Sequence, residues 1–100
     1  MARVAWTESA KRSLKEIVLY IRRDSPSYAR SFALTLRRKV NRLARFPESG
    51  RHVPEAPESD HREVIAGRYR VIYRQDGNTV LIVAVVHGAR DLHSLLPHIK

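Results

Sequence analysis

In the first half of the chain, apolar residues recur every three to four positions, the period of a helix. Ala10, Leu14, Ile17, Val18 and Ile21 form one stripe, and Ala29, Phe32, Ala33, Leu36, Val40 and Leu43 form a second. Thr7 stands where a hydroxyl caps the first helix, and Glu8 falls in its first turn, where the helix dipole favours an anion. Asp24-Ser25-Pro26 separates the stripes. Ser25 is the cap of the second helix, and Pro26 takes its first position, where the missing N–H costs nothing. Pro47 ends that helix near Phe46 by disfavouring helical geometry in the residue before it. So short a connection makes the pair an antiparallel hairpin over about residues 8–46.

In the second half the period drops to two. Strands are expected at Arg62–Ala66, Tyr69–Gln75 and Thr79–His87, with one more at the N-terminus, Arg3–Thr7. Ala66-Gly67 and Asp76-Gly77 supply positive-φ residues for tight hairpins. Thr79–His87 is apolar on both faces, as an interior strand is. Residues 47–61 hold three prolines and little periodicity and read as a long loop. The tail, residues 89–100, suggests only a short helix from Asp91 to Leu96 before Pro97. The sum is one domain, residues 1–100, of the α+β class. Its order is β-α-α-β-β-β, an N-terminal strand and a helical hairpin packed on an antiparallel sheet over about residues 62–87.

Tyr69-Arg70-Val71-Ile72-Tyr73-Arg74 raises the question of what arginines do inside a sheet. With Asp76-Gly77 as a two-residue turn, Gln75 pairs with Asn78 and Tyr73 with Val80. Alternation then places Tyr69, Val71, Tyr73, Val80, Ile82, Ala84 and Val86 toward the helices. Arg70, Ile72, Arg74, Thr79, Leu81, Val83, Val85 and His87 share the opposite, half-open face. Two readings compete there. In one, Arg70 or Arg74 pairs with Glu63 or Glu55 and His87 is structural. In the other, Arg62, Arg68, Arg70, Arg74 and Arg90 bind an anion while His87 or Glu55 moves a proton, as in metal-free cleavage of RNA through its 2′-hydroxyl.

Charge sharpens the choice of partner. Residues 1–50 carry twelve Lys/Arg against four Asp/Glu, whereas residues 51–100 carry seven against six. The second helix places Arg30, Arg37, Arg38 and Arg42 on its polar faces, with no acid between Ser25 and Phe46. Like charges at this spacing weaken a helix slightly, so the strip points to an anionic partner. Leu19 and Leu34 lie off their helices' stripes and would suit an apolar, acidic segment. The chain has no cysteine, which excludes disulfides and thiolate catalysis. Its five histidines show no zinc-ligand spacing, and phosphate-loop and dinucleotide glycine patterns are missing, so neither metal nor cofactor is expected. The longest apolar run, Val80–Val86, is too short to span a bilayer, and no signal peptide is recognisable, so a cytoplasmic protein is expected.

Val4-Ala5-Trp6-Thr7 leading to Ala10, then Ile17 and Tyr20-Ile21, resembles the opening of the ParE/RelE superfamily of toxins from bacterial type II toxin–antitoxin pairs. Pro47, Gly50-Arg51, Val53-Pro54-Glu55, Arg62-Glu63, Tyr69–Arg74 and Val86-His87-Gly88-Ala89-Arg90 resemble its C-terminal half. The resemblance runs from about Val4 to Leu92. It implies a growth inhibitor neutralised by a cognate antitoxin, whose acidic amphipathic segment would meet Leu19, Leu34 and the hairpin arginines. ParE-like members poison DNA gyrase, whereas RelE-like members cut mRNA on the ribosome. No tyrosine follows Arg90, and the hairpin is long, which favours the ParE-like branch. His87 and Glu55 would be catalytic only in the RelE-like alternative. A basic nucleic-acid-binding module without toxicity is a third reading.

Overall fold

In the computed structural model, which describes residues 1–99, the chain runs β1 (Arg3–Trp6), α1 (Glu8–Asp24), α2 (Pro26–Arg45), β2 (Arg51–His52), β3 (Arg62–Ala66), β4 (Tyr69–Asp76) and β5 (Thr79–His87). A 3₁₀ turn, Leu96–His98, stands where the sequence suggested a helix from Asp91 to Leu96. Both helix starts follow from local chemistry. The Thr7 side chain accepts from the Ala10 N–H, and that of Ser25 accepts from the Tyr28 N–H. Ser25 also closes α1, its own N–H donating to the Ile21 carbonyl. One residue thus ends one helix and begins the next, which fixes the hairpin.

The sheet order is β1-β5-β4-β3-β2. The strand β5 is interior, as its two apolar faces required. The sheet is mixed rather than antiparallel, because β1 pairs in parallel with β5, Val4 opposite Val80 and Trp6 opposite Ile82. The long loop also yields β2, whose Arg51 lies opposite Glu63. Two residues are too few for alternation to register in the sequence.

The register of the β4–β5 hairpin differs from the expected one in two ways. Its turn is Gly77-Asn78, so Asp76 pairs with Thr79 and Tyr73 with Ile82. Gly77 has a φ of 60° and Asn78 is not in the positive region, which matches a turn with glycine first. Gly67 plays the same part between β3 and β4, with a φ of 59°. Second, a bulge interrupts the pairing between Ile72 and Tyr73: Ile72 faces Ala84 and Tyr73 faces Ile82, leaving Val83 extra. One extra residue inverts alternation beyond it. Val85 therefore joins the helix-side core, while Ala84 and Val86 turn to the other face, the reverse of the expected assignment.

Two cores result. Phe32, Leu36, Val40 and Leu43 of the hairpin meet Val71, Tyr73, Val80, Ile82 and Val85. On the far face Ile72 and Val83 pack with Val53 and Leu92, flanked by Leu95, Leu96 and Ile99. That face is therefore covered by the loop and tail and not half-open. Tyr73 ties the loop to the first core. Its phenol donates to the Pro47 carbonyl at 2.8 Å and accepts from the Gly50 N–H at 2.9 Å. A Cβ at Gly50 would lie 2.5 Å from that oxygen and 2.7 Å from the Glu63 carbonyl, so only glycine fits.

Because Ser25 serves both helices, Ser25→Ala should lower the unfolding free energy by about 1–2 kcal/mol, as read from urea denaturation. An unchanged midpoint would remove the shared cap from this account.

Candidate functional site

The expected anion site centres on Arg70, and the structure buries that residue: it is 4% exposed. Register explains its neighbours. Ile65 lies opposite Arg70 and Glu63 opposite Ile72, so Glu63 is the diagonal neighbour of Arg70 on one face. The Arg70 Nε donates to Glu63 at 2.8 Å, and its Nη2 lies 2.6 Å from the same oxygen. Its Nη1 and Nη2 donate to the two oxygens of Glu55 at 2.9 and 2.6 Å, a fork-to-fork pair. A further Nη1 bond reaches the Arg90 carbonyl at 3.2 Å. Glu63 is shared with Arg51, whose Nε donates to it at 2.7 Å. Glu55 also accepts from the Leu92 N–H at 3.0 Å.

Two arginines and two glutamates make this network locally neutral. The hydrogen bonds from Arg70 outweigh the effect of burial and hold the Glu55 carboxyl at about 2 instead of 4.5. Bonding to Glu55 likewise raises the pKa of Arg70, which stays charged at every accessible pH. Of the two sequence readings, the structure realises the pairing of Arg70 with Glu63 and Glu55. An external anion finds neither open access to Arg70 nor uncompensated charge. As a carboxylate that keeps no proton near neutrality, Glu55 suits an ion pair better than general acid work.

The remaining predicted residues are dispersed. Arg62 lies on the helix side, where its Nη1 donates to the Gly50 carbonyl at 2.9 Å. Arg74 is half-buried toward the turn end of β4. Arg68 and Arg90 have exposed side chains at the opposite end of the sheet. His87 is not with Arg70. The bulge turns it to the helix side, where its ring packs edge-on against Tyr69, centroids 5.5 Å apart. Arg51 completes the network and was not among the candidates. Its signal lay in β2, which has no readable pattern.

The hairpin carries a second candidate surface. A groove of about 530 Å³ runs between α1 and α2. Trp6, Leu14, Val18, Leu36 and Val40 line it, with Leu19, Lys11, Lys15 and Arg37 among the exposed residues at its sides. Leu19 and Leu34 are each 49% exposed, but only Leu19 borders the groove. Arg30, Arg38 and Arg42 are exposed along α2 outside it, and Arg42 stacks over Phe46 at 5.5 Å. Lys11 and Lys15 were not singled out in the sequence, although their spacing of four puts them on one helix face.

Comparison with known proteins gives concordant matches. The family model described as "ParE toxin of type II toxin-antitoxin system, parDE" matches residues 4–92. A protein named "Putative toxin Y4kP" from Sinorhizobium fredii is 34% identical over 94 residues, 94% of this chain and 96% of that protein. "Toxin RelE2" from Caulobacter vibrioides is 36% identical over 90 residues, covering 90% and 99%. Among solved structures, a chain of the "Chromosomal ParDE TA system from P. aeruginosa" shares the fold with a TM-score of 0.73 at 17% identity, over 87% of this chain and 96% of that one. A chain of the RelBE2 toxin-antitoxin complex from Mycobacterium tuberculosis does so with a TM-score of 0.59 at 24% identity, over 89% and 93%.

Removing one partner of a buried ion pair leaves its counter-charges stranded, so Arg70→Ala should cost about 3–5 kcal/mol in denaturant unfolding. The acid limb gives an independent check. The folded pKa of Glu55 lies below its unfolded value, so its contribution is complete above about 4.5 and is lost as pH falls toward about 2. Glu55→Gln should flatten the stability profile in that window; an unaltered slope would place the acid sensitivity elsewhere.

Proposed function

Because the chain belongs to the ParE toxin family of type II toxin–antitoxin systems, we propose that it inhibits growth by poisoning DNA gyrase. In the resting state a cognate antitoxin holds it inactive. The observation that carries the gyrase reading is the commitment of the sheet arginine. Arg70 is bonded to Glu55 and Glu63, and His87 lies on the other face of the sheet. The groups that phosphodiester cleavage would combine are thus kept apart, while the long basic hairpin stays exposed to a protein target. Arg68, Arg74, Arg90 and Arg62 then serve the target surface or its edges through charge, not through proton transfer. No described helix is long and apolar enough to cross a membrane, and the cytoplasm is where gyrase would be met.

RelE-like cleavage of mRNA on the ribosome is the second reading. The name of the Caulobacter relative favours it, as does the exposure of Arg68, His87 and Arg90 toward one end of the sheet.

The groove between α1 and α2 is where this reading seats the antitoxin. Its floor is apolar and Lys11, Lys15 and Arg37 stand at its sides, which suits an amphipathic segment with acidic edges. Leu34, Arg30, Arg38 and Arg42 meet the antitoxin where the segment continues across α2.

Purified protein added to gyrase should abolish supercoiling and trap linear DNA, and the antitoxin should reverse both effects. Normal supercoiling together with cut mRNA on programmed ribosomes would move the chain to the RelE-like reading. For the antitoxin, Leu19→Asp and Arg37→Glu should each weaken binding at least about tenfold, roughly 1.4 kcal/mol, by titration calorimetry. Affinity unchanged in both variants would take the antitoxin out of the groove.

A further inference from the structure

We propose that the cleft at the tip of the helical hairpin binds one base and its phosphate in a single-stranded nucleic acid. Three of the four tyrosines in the chain meet there: Tyr20 from α1, Tyr28 from the first turn of α2 and Tyr69 from the start of β4. Arg68, His87 and Asp24 help complete a cleft of about 410 Å³. This place is distinct from the Arg70 network and from the groove beside Leu19, and the inference does not rest on the gyrase reading.

The tyrosines here are not core residues. Tyr20 is 62% exposed and Tyr28 48%, whereas Tyr73 is fully buried. Yet the cleft is firmly built. Tyr69 is held between Phe32, with centroids 5.3 Å apart, and the edge-on ring of His87. The β3–β4 turn passes beneath Tyr28, whose hydroxyl would lie 3.3 Å from a Cβ placed on Gly67. The carbonyl of Arg68 accepts from the Gly88 N–H at 2.7 Å, which pins this turn to the end of β5. The Ala89 N–H donates to Nδ1 of His87 at 3.1 Å. With Nδ1 accepting that bond, Nε2 is the ring nitrogen that carries a proton.

Each component matches one part of a nucleotide. Exposed phenol rings offer faces for any base, and stacking of this kind is tolerant of sequence. Arg68 and the Nε2–H of His87 supply donors for a phosphate. The Asp24 carboxylate accepts from an exocyclic base amine. A glutamate-rich peptide offers the three tyrosines no aromatic face to stack on, which favours a nucleic acid over an acidic protein segment. Arg22 and Arg23 in the last turn of α1 extend the positive potential beside the cleft.

Anisotropy titrations with labelled eight-nucleotide RNA and DNA strands, each set against an abasic strand of equal length and charge, test this site. Charge alone binds base-bearing and abasic strands equally, whereas stacking should favour the base-bearing strand by about tenfold. Tyr20→Ala/Tyr28→Ala should bring that ratio to about one without changing abasic affinity, and Tyr28→Trp should preserve it. A base-dependent gap with either strand supports the site, and the larger of the two names the ligand. Equal affinities in the wild-type protein, or a ratio that survives loss of both rings, would overturn the proposal. So would a glutamate-rich peptide whose binding, and not that of the strands, depends on Tyr20 and Tyr28.

Discussion

A guanidinium group at the centre of the sheet organises this protein. Burying a charge is costly unless it is paired and hydrogen-bonded, and Arg70 meets that condition only where β3, the loop before it and the C-terminal tail converge. Glu63 comes from the sheet, Glu55 from the loop, and the Arg90 carbonyl from the tail. Glu55 then reaches back to the Leu92 amide. Two irregular segments, the loop and the tail, neither with a strong structural preference of its own, are thereby tied to the sheet by one side chain. The apolar contacts of Val53, Leu92, Leu95 and Ile99 follow from that placement.

The same pairing decides where the protein's charge is felt. Arg51 and Arg70 are balanced by Glu55 and Glu63 within the fold, so little of the +9 net charge is expressed from the sheet. It is expressed mainly from the hairpin, whose second helix has no acid of its own, and from the exposed Arg68 and Arg90. A surface of this kind steers acidic partners over a distance of roughly a Debye length, about 8 Å at physiological salt. The apolar groove between the helices then supplies short-range complementarity.

The helices were legible because their signals are local. Thr7, Ser25, Pro26 and Pro47 act on neighbours within a few residues, and the stripes on α1 and α2 have the right period. The three long strands were legible for the same reason. The parallel pairing of β1 with β5 was not, because nothing in Val4-Ala5-Trp6 distinguishes a parallel from an antiparallel neighbour. Pairing of Arg70 with Glu63 or Glu55 was one of two readings, and the β3–β4 register at Gly67 decides for it. His87 was assigned to the wrong face because a bulge leaves alternation on each side intact and changes only the phase between them. The covering of the far face depended on Leu92, Leu95 and Ile99, which are too sparse to form a pattern.

That bulge makes β5 a strand read in two frames. Up to Ile82 the even positions face the hairpin; after Val83 the odd ones do. Val83 is the residue that the bulge leaves out of the pairing, and the consequence is felt four residues away. Were the bulge smoothed out with Val83 paired in turn, Val86 would come round against Tyr69 and His87 would be driven toward the apolar face closed by Leu92. The placement of an ionisable ring at the outer surface thus depends on one residue being left out of the pairing, a property of register that no substitution at His87 itself would reveal.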